Sequence, residues 1–168
     1  MKYSLVLVIL LFSNDLLAQV RFTNITKEAG IDFVHVNGAT GNKYLPETMG
    51  SGVAIFDFDG DGYQDLFFVN GTHWPESNRK KGASSTLYHN QGDGTFEDVT
   101  KSSGLDREAY GMGVAIADYD EDGDRDIYLT ALGPNLLFRN NGNRTFTEIG
   151  AEKGVDDDGF GSSATWLD

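Results

Sequence analysis

From Val53 onward, short apolar runs alternate with clusters of Gly, Asn and Asp. Val53-Ala54-Ile55-Phe56, Leu66-Phe67-Phe68-Val69 and Ile127-Tyr128-Leu129-Thr130 are rich in β-branched and aromatic residues and too short to be helices. Two runs joined by Asn, Gly and Asp also read as a hairpin, because those residues tolerate positive φ. The pattern predicts four strands in a first unit, at about Val53 to Phe56, Leu66 to Asn70, Thr86 to Asn90 and Thr95 to Thr100.

The unit repeats. Gly50-Ser51-Gly52-Val53-Ala54-Ile55-Phe56-Asp57 matches Gly111-Met112-Gly113-Val114-Ala115-Ile116-Ala117-Asp118, and both match Gly161 to Asp168. The interval is 61 residues from Asp57 to Asp118 and 50 from Asp118 to Asp168. The longer spacing comes from Thr72 to Ser85, a polar stretch with Pro75 and Lys80-Lys81-Gly82 that reads as a loop insertion. A second block recurs as Leu87 to Thr100 and Leu137 to Gly150, and its tail also occurs at Phe22-Thr23-Asn24-Ile25-Thr26. Four-stranded units at this period are blades that bury their faces against neighbours, so the expected fold is all-β, a partial β-propeller. Propellers close with about four to eight blades. About two complete blades are present, so the expectation is the N-terminal part of a longer protein, its remaining blades lying further along.

Between the first two strands of each unit lies an acidic loop: Asp57-Phe58-Asp59-Gly60-Asp61-Gly62-Tyr63-Gln64-Asp65 and Asp118-Tyr119-Asp120-Glu121-Asp122-Gly123-Asp124-Arg125-Asp126. A calcium ion takes about six to eight oxygen ligands, and alternate spacing aims carboxylates inward. Asp57, Asp59, Asp61 and Asp65 take positions 1, 3, 5 and 9, with the carbonyl of Tyr63 at position 7. Asp118, Asp120, Asp122 and Asp126 do the same in the second loop, with the carbonyl of Asp124 at position 7. Gly62 and Gly123 stand where the loop must turn sharply. An EF-hand would carry a bidentate Glu at position 12, but Phe68 and Leu129 stand there, inside strand-like runs. Two calcium ions are therefore expected, as structural cross-links, with a third loop begun at Asp168.

Composition sharpens this. The formal charge is −13 with only 13 Lys plus Arg, which argues against nucleic acid as a partner. Nine of the Asp residues sit in the two loops, which marks concentrated sites, not general surface charge. Met1-Lys2-Tyr3 followed by the apolar run Leu5 to Phe12 reads as a secretory signal peptide over residues 1–19, leaving 20–168 as the repeats. That run is too short to span a bilayer, and no later segment reads as a span. The expected location is secreted, periplasmic or extracellular. With no cysteine there is neither thiol chemistry nor a disulfide framework.

At these residues the chain resembles the FG-GAP and VCBS-type repeats in the propeller heads of integrin alpha subunits and in exported bacterial proteins. It is most similar to the cartilage acidic protein family, which usually adds a C-terminal ASPIC/UnbV domain. The resemblance rests on Phe22 to Thr26, Phe33 to Gly38, Tyr44-Leu45-Pro46-Glu47-Thr48-Met49-Gly50, both Asp loops and the hairpins ending in Thr95-Phe96 and Thr145-Phe146. It implies a calcium propeller used for binding or adhesion, with a protein or glycan ligand. A calcium-dependent propeller hydrolase or lyase is the alternative class, and a truncated, non-autonomous fragment is a third reading. No catalytic residue is assigned.

Three further features carry expectations. Glu47, Glu108 and Asp158 recur ten residues before a loop, as acids in exposed connections or outer-shell contacts to an ion. His35, His73 and His89 share no metal spacing, so surface or packing roles are expected. Trp74, inside the insertion, is expected to pack beneath its loop or to contact a partner.

Overall fold

The computed structural model describes residues 20–77 and 82–167. The expected signal segment, Lys80-Lys81 and Asp168 lie outside the described residues.

The first blade is an antiparallel sheet in the order β1 (Val53–Phe56), β2 (Asp65–Phe68), β3 (Thr86–Asn90) and β4 (Phe96–Asp98). The second runs β5 (Tyr110–Ala117), β6 (Asp126–Pro134), β7 (Leu136–Asn140) and β8 (Phe146–Glu148), and β9 (Asp158–Phe160) adds to the far end of β6. Among the described residues, helix is limited to a 3-10 turn at Leu45–Thr48 and the single turn α1 (Gly150–Lys153). The all-β, blade-like reading of the repeat therefore holds. A strand follows each acidic loop directly, at Asp65 and Asp126, where an EF-hand would place a helix.

Strand alternation decides which residues meet. Phe67 pairs with Leu87, so these two and His89 share one face, while Leu66, Phe68 and Tyr88 share the other. In the second sheet Ile127, Leu129 and Phe138 lie on one face and Tyr128 and Leu137 on the other. Phe56, Phe58, Phe67 and Leu87 of the first blade form one buried cluster with Ile127, Leu129, Phe138 and Phe146 of the second. The core thus lies between the blades, and burying each such side chain contributes roughly 1.5–3 kcal/mol. Two backbone bonds join the inner strands, Gly52 N to Met112 O and Gly111 N to Asn70 O, both 2.9 Å.

At the outer edge, Phe146 N donates to Ser103 O, in the turn before the second blade. The same bond runs from Phe96 N to Ala29 O, both at 2.8 Å, so residues 25–31 do for the first blade what residues 99–105 do for the second. This explains the stray repeat tail at Phe22 to Thr26. The segment covers the Tyr88 face, where Phe33 stacks on Phe68 with centroids 4.9 Å apart and the Tyr88 hydroxyl donates to Asp32 Oδ1 at 2.8 Å.

Tyr88 is 1% exposed, and burial, followed by its bond to the Asp32 carboxylate, pushes its phenol up to about 12. The folded state therefore holds this proton more tightly than the unfolded chain, whose Tyr titrates near 10. The linked stability is complete below about pH 10 and is lost as pH rises towards 12, on the order of 2 kcal/mol in all. Urea unfolding at about pH 9 and pH 11.5 should show a shallower decline for Tyr88→Phe than for wild type; equal declines would contradict this assignment.

Candidate metal centre

Each acidic loop is organised first by its own backbone. Asp57 Oδ1 accepts from Gly60 N at 2.8 Å and its Oδ2 from Gly62 N at 2.9 Å. Asp118 Oδ1 accepts from Asp122 N at 3.0 Å and its Oδ2 from Gly123 N at 2.9 Å. Gly62 and Gly123 have φ of 87° and 96°, the left-handed turn expected of position 6. Asp61 Oδ1 accepts from Tyr63 N at 2.8 Å, and that bond, ahead of a second from His89, holds the Asp61 carboxyl below the usual carboxylate range.

Asp65 and Asp126 are 0% exposed and clamp the loop ends. Asp65 accepts from Phe58 N at 3.0 Å and Asn90 N at 2.8 Å; Asp126 accepts from Tyr119 N at 2.9 Å and Asn140 N at 2.8 Å. Burial raises both carboxyls, and these backbone donors partly offset it. Each oxygen keeps a lone pair beyond the one a backbone N–H uses.

The fold brings the predicted residues together in two places. Asp57, Asp59 and Asp65 offer oxygens that all lie within 4.8 Å of one another, as do Asp118, Asp120 and Asp122. The acidic clusters could each hold a metal ion. At position 7 the side chains turn away: a Cβ on Gly92 would meet the Tyr63 ring at 2.6 Å, and one on Gly142 would meet Asp124 Oδ2 at 2.7 Å. Tyr63 and Asp124 thus lie over the hairpin turns, which leaves only their carbonyls for a ligand role.

The chemistry of the first cluster fits a cation. Its Asp59 side chain is 1% exposed, yet Oδ2 receives no aligned hydrogen bond. Arg144 Nη2 lies 2.6 Å from that oxygen and His89 Nε2 3.2 Å, close in charge but not directed at it. Arg144 comes from the hairpin of the second blade, at φ 68°, where the first hairpin has Gly94 at φ 91°. Neither Arg144 nor His89 was marked by spacing. The only sequence signal was a break in the repeat, His89 facing Arg139 and Gly94 facing Arg144 in the aligned blocks.

The other features have local uses. Glu47 Oε1 accepts from Trp74 Nε1 at 2.8 Å, and Glu108 Oε1 accepts from Thr72 Oγ1 at 2.6 Å. These acids hold the insertion, and Asp158 opens β9. Trp74 stacks on Tyr110 with centroids 4.9 Å apart, which is the packing role.

The FG-GAP-like repeat family model matches residues 57–129, from the first acidic loop to just past the second. This segment is similar to FG-GAP-like repeats. The chain is also 36% identical to cartilage acidic protein 1 of Mus musculus over 92 residues, 54% of this chain and 13% of that protein. The Homo sapiens protein of that name matches at 36% over 92 residues, 54% of this chain and 12% of its own length. The Xenopus tropicalis protein matches at 36% over 98 residues, 57% of this chain and 13% of its own. The match therefore spans about an eighth of each relative's length. The matched residues cover the blade-like sheets described above from the first acidic loop into β6. Among the described residues no helix is long and apolar enough to cross a membrane.

Proposed function

We propose that this chain is an exported calcium-binding propeller module that serves binding or adhesion, with calcium in a structural role. The observation that carries the reading is the gathering of three carboxylates, Asp57, Asp59 and Asp65, within 4.8 Å of one another, with Arg144 and His89 near Asp59 alone. Like charges at such separations repel by several kcal/mol at intermediate dielectric, unless a cation offsets them. Asp57, Asp59, Asp61 and Asp65, with the Tyr63 carbonyl, would hold one ion; Asp118, Asp120, Asp122 and Asp126, with the Asp124 carbonyl, the other. The ions would neutralise the loops and tie the ends of β1 to β2 and of β5 to β6. The ligand would be a protein or glycan met by loops of one propeller face. The relatives' shared name, cartilage acidic protein 1, states no catalytic activity, which favours a binding module over a hydrolase or lyase.

Thermal and denaturant unfolding with calcium and with chelator tests the metal. At about 100 times Kd each site should add roughly 2.7 kcal/mol. An unchanged midpoint across millimolar calcium would overturn the proposal. Binding of the whole chain to glycan arrays and cell surfaces, with and without calcium, tests the module.

A further inference from the structure

We propose that the hollow between the Trp74 loop and the Leu45–Thr48 turn binds an arginine side chain presented by a protein partner, a reading that rests on the binding-module function proposed above. The hollow holds about 390 Å³ and is lined by Tyr44, Leu45, Pro46, Trp74, Glu76 and Leu132. Tyr44 meets Trp74 at 69° with ring centroids 4.9 Å apart, so the two rings build a corner. Leu45 is 68% exposed and Tyr44 39%, which leaves apolar and aromatic surface open to solvent on a chain whose formal charge is −13. None of these residues belongs to an acidic loop.

The blade itself does not require this construction. In the second blade β6 ends at Pro134 and β7 begins at Leu136, so the two strands join through Asn135 alone. The first blade has the Thr72 to Ser85 insertion at the same point, between β2 and β3. That insertion lays Trp74 against the second blade, where it stacks on Tyr110, and Glu47 Oε1 fixes the indole by accepting from Nε1 at 2.8 Å. Three separate stretches of chain thus meet at the hollow: the 3-10 turn, the insertion and the end of β6. A surface loop held on a rigid scaffold is where binding residues concentrate.

Charge decides the occupant. Glu76 is exposed at the hollow, and its Oε1 accepts from the Tyr44 hydroxyl at 2.8 Å. Its own backbone N–H, ahead of that hydroxyl, holds the Glu76 carboxyl below the usual carboxylate range. Both partners are neutral donors that leave the negative charge in place, and no cationic residue lines the hollow. A carboxylate beside aromatic rings favours a cation, which is attracted to a ring face by the ring quadrupole. Arginine uses both features, since its planar guanidinium stacks on an aromatic face while its edge donates to a carboxylate. The lysine ammonium is a strongly hydrated point charge and uses them less well. Pro46 and Leu132 supply apolar walls for the aliphatic stem.

The test is titration of the whole chain with a blocked glycine pentapeptide carrying one central arginine, and with its citrulline and lysine counterparts, followed by NMR of the indole N–H signals. In wild type, which needs no variant to fold, the Trp74 signal should shift with the arginine peptide while that of Trp166 stays. The citrulline peptide, which has the same shape and no charge, should bind roughly 3- to 30-fold more weakly, with the lysine peptide between the two. Glu76→Gln and Tyr44→Ala, both at exposed positions, should each weaken arginine binding roughly two- to fivefold. An unmoved Trp74 signal, equal binding of the citrulline peptide, or a Trp74 signal that moves with chitotetraose and not with the arginine peptide would overturn the site. Cell-surface binding of the whole chain that is unchanged in Glu76→Gln would count against the site and leave the module standing. Arginine binding by a chain that binds no cell surface would count against the module and support the site.

Discussion

Phe138→Ala should lower the unfolding free energy by about 3–5 kcal/mol. Phe138 is 2% exposed and lies in the cluster that joins Ile127 and Leu129 of its own sheet to Phe56, Phe58 and Phe67 of the other blade. Removing the ring forfeits its transfer free energy and leaves a cavity bounded by two sheets, which cannot both close on it without breaking the backbone bonds between Gly52 and Met112 and between Gly111 and Asn70. Because the core belongs to neither blade alone, the blades should unfold together. Two probes report this: the fluorescence of Trp166, packed against Tyr128 of the second blade, in a Trp74→Phe background, and the far-ultraviolet circular dichroism of both sheets. Coincident denaturant transitions are expected, both shifted by Phe138→Ala. Two separated transitions, or a loss below about 1 kcal/mol, would show that the interface is not the core.

Asp126→Asn should cost about 2–4 kcal/mol in chelator, with no metal present. The carboxylate is 0% exposed and accepts one backbone N–H on each oxygen, from Tyr119 and from Asn140. Asparagine keeps one acceptor and turns an amide donor towards the other N–H, and each buried donor left unmet costs about 1–3 kcal/mol. Asp120→Asn is the contrast. Asp120 is exposed and no hydrogen bond to its carboxylate is found among the described residues, so in chelator its replacement should stay within about 0.5 kcal/mol. In calcium both should lose the stabilisation that the ion gives. Equal losses in chelator would mean that position 9 is only a ligand; the structure makes it a clamp for the loop as well.

Much of the local architecture was legible because it is written in short-range terms. The strand expected at Val53 to Phe56 and that at Thr86 to Asn90 coincide with β1 and β3. The second begins one residue early, at Asp65, which pairs with Phe56 across the sheet, and ends two residues early, at Phe68, because Asn70 turns its amide to Ser85 Oγ and its carbonyl to Gly111 of the second blade. The fourth contracts to Phe96–Asp98, since the Thr95 amide is taken by the Asp93 side chain at 2.9 Å in the hairpin turn. The growth of β6 to Pro134 and its pairing with β9 were not legible, because they depend on a segment well downstream, Leu132 meeting Phe160 and Pro134 meeting Asp158.

The candidate site divides in the same way. Asp57, Asp59, Asp61, Asp65 and their counterparts follow from alternate spacing and from the glycines that turn the loop, all within nine residues of chain. His89 and Arg144 reach Asp59 from a strand and a hairpin far along the sequence, and spacing left His89 with a surface or packing role. The sequence by itself determined the blade, the loop and the repeat, since hydrophobic alternation, turn residues and carboxylate spacing act between near neighbours. Only the tertiary structure decided which face of one blade meets the next, because that depends on how two twisted sheets bury their apolar sides together. That packing sets a histidine and an arginine from different blades against one buried aspartate, and makes the two acidic loops chemically different.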